Sequence, residues 1–462
     1  MASLRLRWSD LLAGRAAPPE GALVELAGWA LTAGVEPARH GLLLPEPPCC
    51  GGCLADPAGA VEIFAAVPLR PGQPVTLRGR FRPSPPGDPA GWRYQLHGAE
   101  PLAGFSRRAM LACSAAAGAG IATPGCAETA AAPTEEARRL VAAARPMDLH
   151  SHAGRVLLTR EGRARPFEPL AAPMREGGMR LIALAMVADT PATRIMPDGR
   201  IQAVRDPAPG ELYAWSGPAF ARLAALLAEQ EIGVVTDRAS LEAALAADRP
   251  AAIVAAEGAD FLEGRIARVE EAFAAHRLRH LQLVHYRVNE LGDIQTAPPM
   301  HEGLTPFGAE VVRACNRLGI VVDMAHASFE TVRGAVEATT KPLVLSHSSV
   351  TPRPGPRSRQ ITPDHARLIA RTGGVIGVWP PAARFPDLRA YAEGIAQMAD
   401  AAGVEHVGIG TDMMGLVGPS TFPDYRLTPA VADALLRAGF GAADAARILG
   451  GNQARVLRAV LA

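Results

Sequence analysis

The chain has 462 residues, which exceeds one average domain and is enough for a large barrel plus a smaller module. Apolar residues make up 48% of the chain, so every part of it can bury a core. The formal net charge is +1, which excludes a general electrostatic attraction to nucleic acid or to an anionic membrane surface.

Residues 1–104 contain short apolar segments separated by Pro/Gly turns, a pattern typical of a small β-rich domain. The predicted strands are 23–31, 61–67, 75–81 and 92–96. A small β-barrel or an open sheet fits this pattern. An OB-like barrel is one candidate, but the pattern does not single it out.

A cysteine cluster lies within this domain, at Cys49, Cys50 and Cys53. Three thiols on one Gly-rich loop form a candidate second metal site for a soft ion such as Cu(I) or Zn²⁺. The alternative is a loop whose thiols have no function, since a single C-x-x-C without a second pair is a weak signal. The six cysteines of the chain do not form a disulfide framework.

Residues 105–144 begin with Arg107-Arg108, followed by a weakly apolar, small-residue run to Cys126. This run resembles a twin-arginine export signal, which predicts a periplasmic or exported protein. Its internal position leaves three interpretations: a natural form that starts near residue 100, a fusion with an internal tether, or a flexible Ala/Gly linker. With the last of these the protein is cytoplasmic.

From residue 145 to the C-terminus, apolar segments of strand length alternate with helical patterns. Eight such units in about 300 residues predict a parallel (β/α)8 TIM-type barrel. The predicted strands are 147–152, 181–187, 251–257, 280–286, 320–326, 342–348, 374–379 and 406–412. The predicted helices are 220–230, 265–276, 307–318, 329–338, 364–371 and 390–401. A short apolar piece at 232–235 is expected to be an insertion after the second strand.

Ionisable residues fall at the predicted carboxyl ends of six of these strands, where barrel enzymes build their sites. They are His150, His152, Glu257, His285, His326, His347 and Asp412. Any one of them alone would be an ordinary satisfied polar group. Seven at equivalent positions are a clustered charge that needs compensation, and a metal supplies it.

The ligand types suit Zn²⁺, with Fe, Ni, Mn or Co possible by the same chemistry. His150 and His152 share one side of a strand and can bind one ion. Glu257 can bridge two ions, and His326 with His347 can complete the second. Two metals about 3.5 Å apart can share a hydroxide and polarise a carbonyl, which leaves Asp412 to move a proton to the leaving amine.

The barrel resembles the membrane dipeptidase (renal dipeptidase, peptidase M19) family of the amidohydrolase superfamily, over about residues 145–460. The segments that carry the resemblance are GLTPFG at 303–308, VVDMAHAS at 321–328, SHSS at 346–349, RQI at 359–361, GIGTD at 408–412, GGN at 450–452 and Glu257-Gly258. Together these motifs are specific to that family.

The resemblance implies a homodimeric dipeptidase with two Zn²⁺ ions per catalytic domain. It implies His150 and position 152 as ligands of the first zinc, Glu257 as the bridge, His326 and His347 as ligands of the second, and Asp412 as the acid/base residue. His285 would contact the substrate or the oxyanion. Arg359 would bind the terminal carboxylate of the substrate, since a guanidinium pairs bidentately with a carboxylate.

The chain departs from the family at two places. His152 stands where the family usually has Asp, which makes the metal site one unit more positive. Met413-Met414-Gly415 follows Asp412, where the family tends to have aromatic and acidic residues. Both departures concern substrate and rate rather than metal binding.

Three hypotheses follow. The first is a zinc dipeptidase acting on small dipeptides, including those with a D-residue at the C-terminal position. The second is another binuclear amidohydrolase acting on a non-peptide amide or a lactone. The third is an inactive metal- or ligand-binding protein, which the retained Glu257, His326, His347 and Asp412 disfavour.

Overall fold

The computed structural model describes residues 3–6, 18–32, 38–44, 61–69, 74–83, 94–101, 132–196, 200–355 and 357–462. The cysteine cluster at 49–53 and the twin-arginine-like run at 106–126 lie outside these ranges. The chain divides into two compact units, residues 1–131 with 196–200, and residues 132–195 with 201–462.

The first unit is a β-barrel. Its strands are β1 (Leu4–Arg5), β2 (Leu23–Thr32), β3 (Ala38–Leu44), β4 (Val61–Leu69), β5 (Pro74–Pro83) and β6 (Tyr94–Pro101). Strands β2-β3-β4-β6-β5 form a ring that closes by pairing β5 with β2. Within the ring the β4–β6 pair is parallel and the other pairs are antiparallel. This is the order of an OB-type barrel.

The core of this unit contains alternate residues of the strands, among them Val24, Ile63, Leu77 and Leu96, all nearly inaccessible to solvent. Strand β3 is absent from the sequence-based prediction, because its apolar residues are consecutive rather than alternating.

The second unit is a closed parallel barrel, as predicted. Its eight strands are β7 (Met147–Ser151), β8 (Leu181–Val187), β12 (Ala251–Glu257), β13 (Leu278–Gln282), β14 (Val321–Asp323), β15 (Val344–Ser348), β16 (Val375–Val378) and β17 (Val407–Ile409). They pair in chain order, and β17 pairs with β7 to close the ring. All residues of these strands are buried except Arg279. Because both faces of these strands are buried, their sequences are continuous apolar segments.

Three short strands accompany the barrel. The piece expected to be an insertion forms β11 (Gly233–Val234), which pairs in parallel with the start of β12. Strands β9 (Thr193–Ile195) and β10 (Ile201–Ala203) form an antiparallel pair after β8.

The described helices are α1 (Glu135–Ala144), α2 (Ala171–Gly177), α3 (Glu211–Glu229), α4 (Arg238–Ala246), α5 (Ala267–Ala275), α6 (Pro306–Leu318), α7 (Phe329–Ala338), α8 (Pro363–Arg371), α9 (Leu388–Ala402), α10 (Thr428–Arg437), α11 (Ala442–Ala446) and α12 (Asn452–Val460). Several begin with the side-chain caps that their sequences predict. Thr305, for example, accepts from the Gly308 amide at 2.9 Å, with Pro306 as the first helical residue. No helix in the described ranges combines the length and hydropathy that crossing a membrane requires.

Five strands end earlier than predicted, β7 and β16 by one residue and three others by more, and the larger differences place the site. Strand β13 ends at Gln282 rather than at residue 286, β14 ends at Asp323 and β17 ends at Ile409. His326 and Asp412 therefore lie three residues beyond their strands, with left-handed φ values of 68° and 48°. Left-handed backbone breaks a strand, so these residues belong to loops at the barrel mouth.

Glycine at two positions permits three strands to converge near the site. A Cβ on Gly377 would lie 1.8 Å from the carbonyl oxygen of Ser346, and a Cβ on Gly410 would lie 1.7 Å from the same atom. Neither distance is compatible with a side chain. The position of the Ser346 backbone, immediately before His347, therefore requires glycine at both places.

We predict that Gly377→Ala destabilises the barrel by at least about 3 kcal/mol, because the new methyl group meets backbone rather than a movable side chain. Gly233→Ala is the matched control, since its Cβ would make only ordinary contacts at 3.7 Å in strand β11. Denaturant unfolding of both variants is the measurement. Equal stability of the two variants would contradict the close approach.

Candidate metal centre

The seven predicted site residues meet at one rim of the barrel. His150 lies in β7, Glu257 ends β12 and His347 lies in β15. The other four occupy loops directly after strands: His152, His285, His326 and Asp412. All seven are nearly inaccessible to solvent. The barrel thus brings together residues separated by as many as 262 positions.

Glu257 lies at the middle of the cluster and contacts five imidazoles. Its Oε1 is 3.5 Å from His150 Nε2, 3.3 Å from His326 Nε2 and 3.5 Å from His347 Nε2. Its Oε2 is 3.1 Å from His152 Nε2 and 3.4 Å from His285 Nε2. Each carboxylate oxygen therefore faces a different set of ring nitrogens.

The side chains form two ligand groups that share Glu257. The first ligand group contains His150, His152, Glu257 and Asp412. The second ligand group contains Glu257, His326 and His347. Within each group the ligand atoms lie within 4.8 Å of one another. This is the donor set that zinc and related divalent ions take in proteins.

Short distances between imidazole nitrogens support a cation in each of the two ligand groups. His150 Nε2 lies 3.2 Å from His152 Nε2, and His326 Nε2 lies 3.0 Å from His347 Nε2. In addition, Asp412 Oδ1 is buried without a hydrogen-bond partner in the described structure. When several lone pairs converge on one point and no hydrogen-bond donor faces them, a metal ion can bind all of them.

Three of the rings are oriented by a hydrogen bond at the nitrogen that faces away from the centre. His152 Nδ1 bonds to the Ala185 carbonyl at 2.8 Å, and His347 Nδ1 bonds to Ser346 Oγ at 2.9 Å. His285 Nδ1 bonds to Asp189 Oδ1 at 2.7 Å. These contacts leave Nε2 of each ring directed at the centre.

Protonation in the metal-free protein differs between the two groups. Burial, together with nearby positive charge, lowers the pKa of His326 and His347 well below its usual value, so both rings are neutral ligands. Burial opposes protonation of His152 also, but the nearby carboxylates of Asp412, at 3.4 Å, and Glu257, at 3.1 Å, outweigh burial and raise its pKa to about 10. A metal in the first group must therefore displace a proton from His152.

Two buried aspartates hold the strands that carry the ligands. Asp148 accepts from the Thr411 amide at 2.8 Å, from Thr411 Oγ1 at 2.5 Å and from Tyr425 OH at 2.7 Å, which ties β7 to the segment after β17. Asp323 accepts from His280 at 2.9 Å and from the Ser346 amide at 2.9 Å, which ties β14 to its neighbours. Burial raises the pKa of Asp148, although these hydrogen bonds offset part of the effect.

Arg359 lies beside the second ligand group rather than on the outer surface. Its Nη1 donates to Gln295 Oε1 at 2.5 Å and its Nη2 donates to the His347 carbonyl at 3.4 Å. The guanidinium carbon also stands 5.5 Å from the centroid of the Trp379 ring, and Tyr286 is an electrostatic neighbour of the side chain. Its Nε atom is buried without a partner among the described residues.

The turn after Asp412 packs directly against the first ligand group. A Cβ on Gly415 would lie 2.1 Å from Asp412 Oδ1 and 2.5 Å from the His152 ring. The Met413 carbonyl accepts from the His152 amide at 2.8 Å. Met414 and Val417 are among the exposed large apolar residues. Gly415 thus permits the close packing, and the two exposed apolar side chains lie in the loop that follows Asp412.

Sequence reasoning missed several residues that contact this site. They are Asp189, Tyr286, Gln295 and Trp379. Asp189 and Trp379 follow strands β8 and β16 directly, so the rule that located the ligands applies to them as well. Gln295 and Tyr286 lie on a long loop, and nothing in their sequence context indicates where that loop turns.

Solved structures similar to this chain share its barrel. A metallo peptidase from Rhodobacter sphaeroides, liganded with a phosphinate mimic of the dipeptide L-Ala-D-Ala, is 19% identical, with a TM-score of 0.58, and the match covers 68% of this chain and 99% of that one. The probable dipeptidase PvdM from Pseudomonas aeruginosa is 17% identical, with a TM-score of 0.57, over 71% of this chain and 98% of that one. At these identities the likeness concerns the fold alone.

Curated relatives match part of the barrel sequence. The dipeptidase aclJ of Aspergillus oryzae is 31% identical over 189 residues, which is 39% of this chain and 44% of that protein. The dipeptidase tcpJ of Claviceps purpurea is 30% identical over 221 residues, 46% of this chain and 51% of that protein. The chain thus spans about half the length of the curated relatives it matches.

The family model described as membrane dipeptidase, peptidase family M19, matches residues 219–462, which is more than half of the chain. This range contains Glu257, His285, both ligands of the second group, Arg359 and Asp412. The resemblance seen in the motifs is therefore confirmed, and the chain belongs to the membrane dipeptidase (peptidase M19) family.

Proposed function

We propose that the protein is a dipeptidase that uses two zinc ions to hydrolyse the peptide bond of dipeptides, including dipeptides with a D-residue at the C-terminal position. The observation that carries this proposal is the shared carboxylate of Glu257 between two buried ligand groups. The names of the curated relatives support the substrate class, and the dipeptide mimic bound to the Rhodobacter sphaeroides protein motivates the D-residue.

The residues fit a pair of divalent ions. His150 and His152 would hold the first, His326 and His347 the second, and Glu257 would bind both. When bound, such a pair activates water at neutral pH and polarises the carbonyl oxygen of the scissile bond. The histidine nitrogens converge to 3.0–3.2 Å within each group, which is the separation of ligands around one small ion.

Asp412 is the residue best placed to move a proton. Its carboxylate lies 3.4 Å from His152 Nε2, and its Oδ1 has no hydrogen-bond donor among the described residues. Such a carboxylate can take a proton from the attacking water and deliver it to the leaving amine. Its left-handed backbone and the Gly415 contact fix its direction.

Arg359 accounts for a preference for a free terminal carboxylate. The side chain is half-buried beside the second ligand group and its Nε is inaccessible, so a substrate carboxylate bound there would be partly shielded from water. A charge-assisted, bidentate pair at such a place is strong and directional. A longer peptide, whose next residue occupies the carboxylate position, would then be excluded.

A second candidate is a binuclear amidohydrolase that acts on another amide or on a lactone. The observation that favours it is His152, a neutral ligand in place of the acidic residue usual in the family. The apolar Met414 and Val417 in the loop that follows Asp412 also fit a substrate without a charged side chain. Dipeptides cleaved much faster than simple amides and lactones would exclude this candidate.

The shared carboxylate generates a prediction about metal content. Glu257→Gln should lower bound zinc from about two ions per chain to one or none, because the amide offers one weaker donor in place of two carboxylate oxygens. Glu310→Gln is the control, since Glu310 is exposed on helix α6. Elemental analysis after dialysis measures the ratio, and unchanged zinc in Glu257→Gln would contradict the bridging role.

The proton-transfer role of Asp412 generates a second prediction. Asp412→Asn should lower kcat for dipeptides by about 100-fold or more, with zinc content retained, because general acid–base catalysis contributes that much. Asp400→Asn, an exposed change on helix α9, should leave kcat unchanged. Loss of zinc in Asp412→Asn would instead make Asp412 a metal ligand.

The position of Arg359 predicts how the terminal carboxylate is selected. Arg359→Met should raise KM for a dipeptide by about 10- to 100-fold, the contribution of a charge-assisted hydrogen bond. KM for the corresponding dipeptide amide should not change. Arg357→Met provides the control, because Arg357 is exposed on the same loop. Equal losses for acid and amide would show that Arg359 supports the fold rather than the substrate.

A further inference from the structure

His285 is held at both ends of its ring although no strand contains it. It lies three residues beyond β13 and is 6% exposed. Its Nε2 faces Glu257 Oε2 at 3.4 Å, and its Nδ1 contacts Asp189 Oδ1 at 2.7 Å. Neither metal-ligand group includes it. Its direction is therefore set by Asp189.

Asp189 is a fully buried carboxylate with both oxygens in use. Oδ1 accepts from His285 Nδ1, and Oδ2 accepts from the Tyr286 amide at 3.0 Å. Its own carbonyl accepts from the Ala192 amide at 2.9 Å and from Thr193 Oγ1 at 3.3 Å. The residue is thus anchored in the turn after β8, and its carboxylate joins that turn to the loop after β13.

The chemistry of this contact determines which ring nitrogen carries hydrogen. An ionised carboxylate only accepts hydrogen bonds, so His285 Nδ1 must donate. The nitrogen that remains to meet a substrate is Nε2. An asparagine at position 189 could serve only one of the two donors, because its amide nitrogen would face either Nδ1–H or the Tyr286 N–H.

A neighbouring aspartate shows that this pairing is particular to Asp189. Asp260 is equally buried, but it pairs with Arg287 at 2.9 Å and with Asn289 at 3.2 Å. Among the hydrogen bonds of the described residues, the only titratable side chain bonded to Asp189 is His285. The two carboxylates therefore have separate partners, and only one of them reaches the metal centre through its partner.

We propose that Asp189 is a positioning residue of the active site: it holds His285 with Nδ1 protonated and Nε2 directed at the substrate carbonyl beside the two ligand groups. The catalytic part of this inference rests on the proposed dipeptidase function. Asp189 itself contacts neither substrate nor metal. Its effect passes through the orientation of one imidazole, as outer hydrogen bonds do in other metal sites.

The first test observes the ring directly in the full-length, zinc-loaded protein. With ¹⁵N-labelled histidine, His285 should show a protonated Nδ1 and a proton resonance shifted far downfield by the carboxylate. The variant His285→Gln assigns that resonance by its loss. An unprotonated Nδ1 in the wild-type protein would overturn the proposal, whatever the activity.

The second test uses Asp189→Asn, with Asp293→Asn as the matched control. Asp293 is also a buried carboxylate that accepts only backbone N–H groups, from Met300, His301 and Gly303. Each substitution replaces an ionised carboxylate by a neutral amide whose nitrogen cannot accept, so the two losses of stability should be comparable. Only Asp189→Asn should lose the downfield resonance and lower kcat by roughly 10- to 100-fold, with KM and zinc content unchanged.

The outcomes separate this inference from the proposed function. If the wild-type protein cleaves dipeptides and Asp189→Asn cleaves them equally well, the positioning role is wrong and the function stands. If the zinc-loaded wild-type protein cleaves no dipeptide, the function fails, while the resonance still decides the role of Asp189. Loss of zinc in Asp189→Asn would overturn the proposal, and if that variant does not fold, the wild-type measurement decides.

Discussion

The site depends on one carboxylate placed where burial alone would forbid a charge. Glu257 ends strand β12 at the barrel mouth, is almost inaccessible to solvent and contacts five imidazoles. Burial would raise its pKa, but the surrounding histidines hold it well below the usual value. A buried carboxylate is stable in its charged form only when cations or hydrogen-bond donors surround it. The histidines from β7, from the loop after β14 and from β15 must therefore all lie close to Glu257.

The barrel satisfies that requirement by joining strands that are distant in sequence. Asp148 bonds to the segment after the last strand, and Asp323 bonds to the strand that carries His347. The approach of Gly377 and Gly410 to the Ser346 carbonyl brings the same strands close. Asp148 also accepts from the His150 amide at 3.2 Å, so these contacts set the backbone positions from which the candidate ligands extend. The distances between the side chains of the two ligand groups therefore depend on the packing of the whole barrel.

Loops at the barrel mouth complete the candidate site around the two ligand groups. Arg359 and Asp412 each lie on a loop rather than on a strand, and each is fixed by a specific contact, Gln295 for the first and Gly415 for the second. His285 is fixed in the same way by Asp189. Loops held by buried hydrogen bonds can change from one relative to another without altering the barrel. The proposed substrate preference is therefore located in these loops, whereas the histidine and glutamate residues of the two ligand groups lie in strands or within three residues of a strand end.

The amino-acid sequence by itself determined the barrel and predicted the ionisable residues that meet at its mouth. Continuous apolar strands that alternate with capped amphipathic helices have one stable arrangement, and His150, Glu257 and His347 lie at strand ends where that arrangement places a site. Only the tertiary structure decided the closure of the OB-type ring through β3, the loop positions of His285 and His326, the contact of Arg359 with Gln295 and the pairing of His285 with Asp189. The physical reason is the separation along the chain of the residues that interact. Strand and helix periodicity is a local property that a few residues display, whereas the path of a long loop depends on hydrogen bonds to partners such as Gln295 and Asp189, which lie 64 and 96 residues away.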